Sequence, residues 1–211
     1  EIRGNATDSQ PCSFASASFT FHTLAIMFLQ MTTLGYGLLL PTFVQIVLKQ
    51  PATDAGVVLL PGAIVGAVFA PIGGLILDRL GAKKPIVLGL CCSFIATFCF
   101  LFFFKNLTYQ SCILFYFIYS LGIGLIVGNT MTSAMSHLPK NLQADGNATL
   151  QTLMQLSGGI GTSITATILA FVQQGTNLYD GTNRGALFVL IFLMFNINIV
   201  ILSQYFAFKG G

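Results

Sequence analysis

The chain has 211 residues, of which only 7% are Asp, Glu, Lys or Arg and 55% are hydrophobic, against about 25% charged in soluble domains. Its mean hydropathy is +0.82 and its formal net charge is +3, with the bases scattered so that no nucleic-acid-binding stripe forms. These values exclude an ordinary soluble domain and make the bilayer the solvent for most of the chain.

The placement of the charges divides the sequence. Charge-free windows cover residues 9–48, 55–77, 85–104, 106–139, 146–179 and 185–208, each able to hold the roughly 20 apolar residues a helix needs to cross. A spanning segment must satisfy its backbone internally, as a helix or a closed barrel. Continuous apolar runs such as residues 86–104 read as helices, where barrel strands would alternate. The expected fold class is all-α, a polytopic membrane protein of six spans.

Residues 1–18 are polar and read as a linker; with Glu1 at the start and no initiator Met, the chain reads as a piece of a longer protein. The first span, about 20–48, carries Gln30, Thr32, Thr33, Tyr36 and Gln45, and is loosened by Gly35, Gly37 and Pro41. His22, at its start, is an ionisable side chain near the membrane surface and a minor candidate for proton coupling. The second span, about 55–77, repeats Gly62, Gly66, Ala70 and Gly74 at every fourth position, a small-residue face that lets another helix approach.

The loop that follows is dense in charge: Asp78, Arg79, Lys83 and Lys84 surround Gly81. The third span, about 86–104, is Phe-rich and is expected to face lipid. Of the five cysteines, Cys91, Cys92 and Cys99 fall in it, while Cys12 and Cys112 lie elsewhere. Without a C-x-x-C pair or nearby histidine they read as apolar filling, and no metal site is expected. The fourth span, about 110–133, has its own small stripe of Ser120, Gly124, Gly128 and Thr132, with Asn129 beside it. The fifth, about 146–172, is the most polar: Asn147, Gln151 and Gln155 recur every four residues and share one face. The sixth, about 185–208, carries Asn196 and Asn198, and residues 209–211 form a short tail.

Amides are costly in hydrocarbon and should face protein or a wet cavity. Two readings of Gln30, Tyr36, Asn129, Asn147, Gln151 and Gln155 stay open. They hold the helices together by hydrogen bonds, or they line a substrate path. For orientation, a cytoplasmic N-terminus puts Arg3, Arg79, Lys83, Lys84, Lys140 and Lys209 inside and Lys49, Lys105 and Arg184 outside. The positive-inside rule favours that arrangement, with both termini cytoplasmic in a plasma (cell inner) membrane.

Three stretches carry a family resemblance. They are the loop Gly74-Leu75-Ile76-Leu77-Asp78-Arg79-Leu80-Gly81-Ala82-Lys83-Lys84, the run Leu59-Leu60-Pro61-Gly62-Ala63 leading to Ala70-Pro71-Ile72-Gly73-Gly74, and Leu138-Pro139 followed by residues 146–161. Together they resemble the major facilitator superfamily, and within it the C-terminal half of fourteen-span drug:proton antiporters of the EmrB and QacA type. The resemblance implies a six-helix bundle over residues 19–208, equal to one half of the fold. It implies proton-coupled efflux of lipophilic, often cationic drugs by two bundles rocking about a central site. Gly74, Asp78, Arg79, Gly81 and Lys83 would form a cytoplasmic latch; the plainer alternative is that Lys83 and Lys84 only fix topology.

The implied partners are the lipid bilayer, a small-molecule drug and a missing N-terminal half, with no nucleic acid. No cofactor is implied beyond the proton gradient. Two departures stand out. Met154 occupies a place where such antiporters often carry Arg, and no Asp or Glu lies within an expected span, so the titrating acid would sit in the other half. An intramembrane enzyme or a channel is not supported, for want of a nucleophile with its base or a filter motif. The alternative is a half-size membrane scaffold or partner subunit without transport activity of its own.

Overall fold

The computed structural model describes residues 17–68, 81, 83–136 and 138–210. Helix α1 runs over Ala17–Ile46, α2 over Ala52–Val57, α3 over Lys83–Phe102, α4 over Tyr109–Ser136, α5 over Gln143–Gln173 and α6 over Leu178–Gly210. After α2 the chain turns at 58–59 and is helical again over 60–68. Pro61 accounts for the break. It has no N–H to give to the carbonyl four residues back, and it is tolerated where a helix restarts.

Among the described residues, five helices are long and apolar enough to cross a membrane, and Ala52–Val68 forms a shorter apolar one. The protein is therefore a multi-pass, all-helical membrane protein. The remainder of the expected second span, with Ala70, Pro71 and Gly74, lies outside the described residues. The expected ends differ most for α6, which begins at Leu178 rather than 185 and takes in Asp180 and Arg184. An acid in the first turn complements the helix dipole, so a charge there starts the helix instead of excluding it.

The bundle is built around α1. It packs against α6 and α5 along most of its length, and against α4 and α2; α3 pairs with α4 and α6. The largest core group joins Tyr36, Leu39, Leu40, Phe43 and Val44 of α1 to Phe100, Tyr116, Tyr119, Val189, Leu193 and Ile197 of its neighbours. Two close backbone approaches set helix spacing. A Cβ placed on Gly89 of α3 would lie 2.6 Å from the carbonyl oxygen of Gly122 on α4, and one on Gly161 of α5 would lie 2.6 Å from Met31 Cα on α1. Only glycine permits such contact, the usual device where packing and not hydrophobicity drives helix association.

Buried hydroxyls and amides add specific ties. Tyr36 Oη donates to Thr97 Oγ1 at 2.9 Å, and Thr97 in turn donates to the Ser93 carbonyl at 3.0 Å. Thr33 Oγ1 and Tyr119 Oη are 3.1 Å apart. Gln204 Nε2 donates to Thr130 Oγ1 at 3.3 Å, and Ser203 Oγ to the Phe21 carbonyl at 2.9 Å.

The two ends of the bundle are distinct. At one, Lys49 Nζ stands 5.9 Å over the Tyr179 ring, and Lys105 joins Tyr179 and Asn183 around a small polar cleft. At the other, Lys83 Nζ stands 5.6 Å over the Phe208 ring. Among the described residues, Lys49 and Lys105 thus lie at one end and Lys83 and Lys209 at the other.

Candidate functional site

The polar face of the bundle belongs to α5. Its buried side is Gly146, Leu150, Ser157, Gly158, Gly161, Thr165 and Leu169. That register leaves Asn147, Gln151 and Gln155 together on the exposed side, with Ser163 and Thr167 further along. The Thr167 hydroxyl donates to the Ser163 carbonyl at 2.8 Å, so it is satisfied within its own helix.

Gln30 of α1 sits at the margin of this face. It is partly buried, and its Cγ would be 3.4 Å from a Cβ on Gly158, a position also covered by Leu34. α5 and α4 touch near one end only. There Gln143 Nε2 donates to the carbonyls of Met135 and Leu138 at 3.3 and 3.4 Å, and Phe19, Ile26, Ala134, Leu138 and Leu150 form a cluster. His22 lies at the same junction, buried, with Nε2 3.2 Å from Ser133 Oγ and its ring edge-on to Phe208 at 5.8 Å.

The six amide and phenol residues singled out by sequence are therefore divided. Gln30, Asn147, Gln151 and Gln155 come together on one open face. Among the described residues none of these four amides makes a side-chain hydrogen bond within the bundle, so they are not what ties these helices to one another. Tyr36 is at 0% exposure inside the aromatic core, with ring centroids 4.6 Å from Tyr119 and 5.5 Å from Phe100. Asn129 is also buried, its Nδ2 donating to the Leu125 carbonyl at 2.6 Å. Both belong to the interior of the bundle. Sequence reasoning placed them with the others because each is polar at depth; periodicity alone does not say toward which neighbour a face turns.

Of the loop residues, Gly74, Asp78 and Arg79 lie outside the described residues. Gly81 has φ +71°, a left-handed turn that glycine takes without strain. Lys83 starts α3 and is exposed. Sequence reasoning missed the polar ties of Thr33, Thr97 and Thr130, which are single hydroxyls with no spacing signal. Among the described residues no group of three or more His, Cys, Asp or Glu is placed to hold a metal ion.

Apolar helices gathered around a central one, with amides on one exposed face, make a multi-pass membrane bundle with one polar side. Residues 7–162 match the Major Facilitator Superfamily, and the chain belongs to that family of transporters; it is not an enzyme. Curated relatives agree. The lincomycin resistance protein LmrB of Bacillus subtilis (strain 168) is 31% identical over 162 residues, 75% of this chain and 33% of the relative. The uncharacterized MFS-type transporter YhcA of the same strain is 35% identical over 130 residues, 62% of this chain and 24% of the relative. The quinolone resistance protein NorB of Staphylococcus aureus (strain bovine RF122 / ET3-1) is 25% identical over 164 residues, 77% of this chain and 34% of the relative. The chain spans about a third or less of the length of these relatives.

Proposed function

We propose that this chain is one bundle of a drug-efflux transporter, the C-terminal half of a fourteen-span, proton-coupled antiporter that moves lipophilic, often cationic compounds outward by alternating access. The observation that carries the reading is the row Asn147, Gln151 and Gln155 beside Gln30. It is a polar face without partners in its own bundle, while the exposed sides of α3 and α6 carry Val87, Phe98, Phe195 and Leu202. Such a face suits one wall of a central cavity, closed by a second bundle. Relatives named for resistance to lincomycin and to quinolones support drugs as the cargo class. Amides without a fixed positive charge suit uncharged and cationic solutes. The expected spans hold no Asp or Glu, so the proton-binding acid belongs to the other bundle.

In this reading the Asp78–Arg79 loop is cytoplasmic and latches the two bundles in one orientation, with Gly74, Gly81 and Lys83 shaping it. A coupling of about 1–3 kcal/mol corresponds to roughly 5–150-fold in the balance of states. The test is transport by the full-length protein in inverted vesicles. Gln151→Leu and Gln155→Leu should lower drug uptake about tenfold, and Asp78→Asn should fall within the coupling range, all at unchanged membrane abundance. Unchanged uptake in both Gln variants would remove the cavity assignment. Uptake that survives collapse of the pH gradient would remove proton coupling. The opposing reading, a half-size scaffold or partner subunit, is favoured by the fact that one bundle supplies only one wall. It expects no drug uptake from any protein containing this bundle.

A further inference from the structure

Away from the amide row, α3 and α6 meet along a groove of about 700 Å³. Its walls are apolar, with Val87, Phe94 and Ile95 on α3 and Ile201 and Phe208 on α6. It is open outward: Val87 is 45% and Ile95 54% exposed. Lys83 and Lys209 line its end, and among the described residues no Asp or Glu lines it. Lys83 is drawn across from α3 toward α6 by its contact with the Phe208 ring, 5.6 Å from the centroid. The groove therefore combines a long apolar slot with two ammonium groups at one end, at the level where apolar helix gives way to charged loop.

We propose that this groove binds one anionic phospholipid, acyl chain along the Phe94 and Ile95 wall and phosphate between Lys83 and Lys209. The inference rests on the membrane-spanning character of the bundle and is independent of what is transported. Basic clefts between spanning helices at a membrane surface are suited to anionic headgroups, and the lysine stems add apolar contact below the charge. The surrounding exposed residues, Leu88, Phe98 and Leu202 among them, give the slot an apolar rim that lipid wets and a soluble protein partner does not. A second copy of the chain would bring two more ammonium groups to the same end, and free phosphate would leave the apolar wall unused.

The experiment is native mass spectrometry of the full-length protein titrated with dioleoyl phosphatidylglycerol or with dioleoyl phosphatidylcholine. One phosphatidylglycerol should be retained about thirtyfold more tightly than phosphatidylcholine. At about 1 kcal/mol for each lysine near an anionic surface, K209Q should weaken retention about fivefold and K83Q/K209Q about thirtyfold. Cys91→Trp, which fills the groove without changing charge, should weaken retention of both lipids. K49Q/K105Q, at the opposite end, should leave retention unchanged. Equal retention of the two lipids, or a preference that survives K209Q and K83Q/K209Q alike, overturns the proposal. So does displacement of the lipid by inorganic phosphate at matched concentration, or a doubled mass with the lipid lost in K209Q dimers.

Discussion

Gly89 and Gly122 meet at the α3–α4 crossing, each leaving room for the other's backbone. Substituting either by Val inserts atoms where a carbonyl already lies, and overpacking of this kind costs about 1–3 kcal/mol. Gly89→Val should therefore lower the midpoint of thermal unfolding in detergent, whereas Gly159→Ala should leave it nearly unchanged, because among the described residues nothing lies within 4 Å of the exposed Gly159 position. Tyr36→Phe deletes the bond to Thr97 while Thr97 keeps its own carbonyl partner. Hydrogen bonds between spanning helices average about 0.6 kcal/mol, so the loss should stay below about 1 kcal/mol, and Tyr36→Ala should cost several times more through its cavity. Residue-level packing was the least legible part of the sequence. The four-residue stripe at Gly62 and Gly66 marks one face, yet Gly62 meets Tyr116 and Ser120 while Gly66 meets nothing within 4 Å among the described residues. Close backbone approaches between helices fall on Gly89, Gly122 and Gly161, which stand in no regular small-residue row with one another, because they are set by the partner helix rather than by the helix that carries them.

At the scale of the helix, the charge-free windows were informative because hydrocarbon penalises charge along a span. They were less informative about ends, since lysine, aspartate and arginine are welcome in terminal turns. Lys83 opens α3, and Asp180 and Arg184 lie inside α6. The division of α5 into a small buried side and an amide side was legible from spacing alone, since Asn147, Gln151 and Gln155 lie four apart. Which of the two readings those amides serve was not, because it depends on what stands opposite. The same helix yields a prediction that separates roles. Gln155→Leu should leave detergent stability unchanged, as the amide has no partner in the bundle. Gly161→Leu should abolish a stable fold, as it strikes Met31. Equal thermal midpoints for the two variants would contradict the packing described for α1 and α5.

Across the whole molecule, the charged loops sort to two ends, Lys49 and Lys105 at one and Lys83 and Lys209 at the other. We propose, from the positive-inside rule, that the second end faces the cytoplasm. In intact cells, Lys105→Cys in a background lacking the native cysteines should react with a membrane-impermeant maleimide, and Lys84→Cys should react only after permeabilisation. The reverse pattern would invert the topology. Family membership was legible in the loop and the two apolar motifs, since they reflect local turn and packing chemistry. The candidate site was legible only as a set of polar positions. Tyr36 and Asn129 fall inside the bundle because α1 and α4 turn those faces toward one another, a property of the assembled helices.

The centrality of α1 bears on how the protein is made. Its main neighbours, α5 and α6, are synthesised last of the helices described, yet α5 covers the backbone at Met31 and both meet α1 at Gly35, through Thr165 and Leu193. During insertion α1 must wait in the bilayer with its Met31 and Gly35 side uncovered until the final hairpin arrives. It is therefore the segment for which retention by the insertion machinery matters most, and a ribosome stalled before residue 178 would release a bundle without its centre covered.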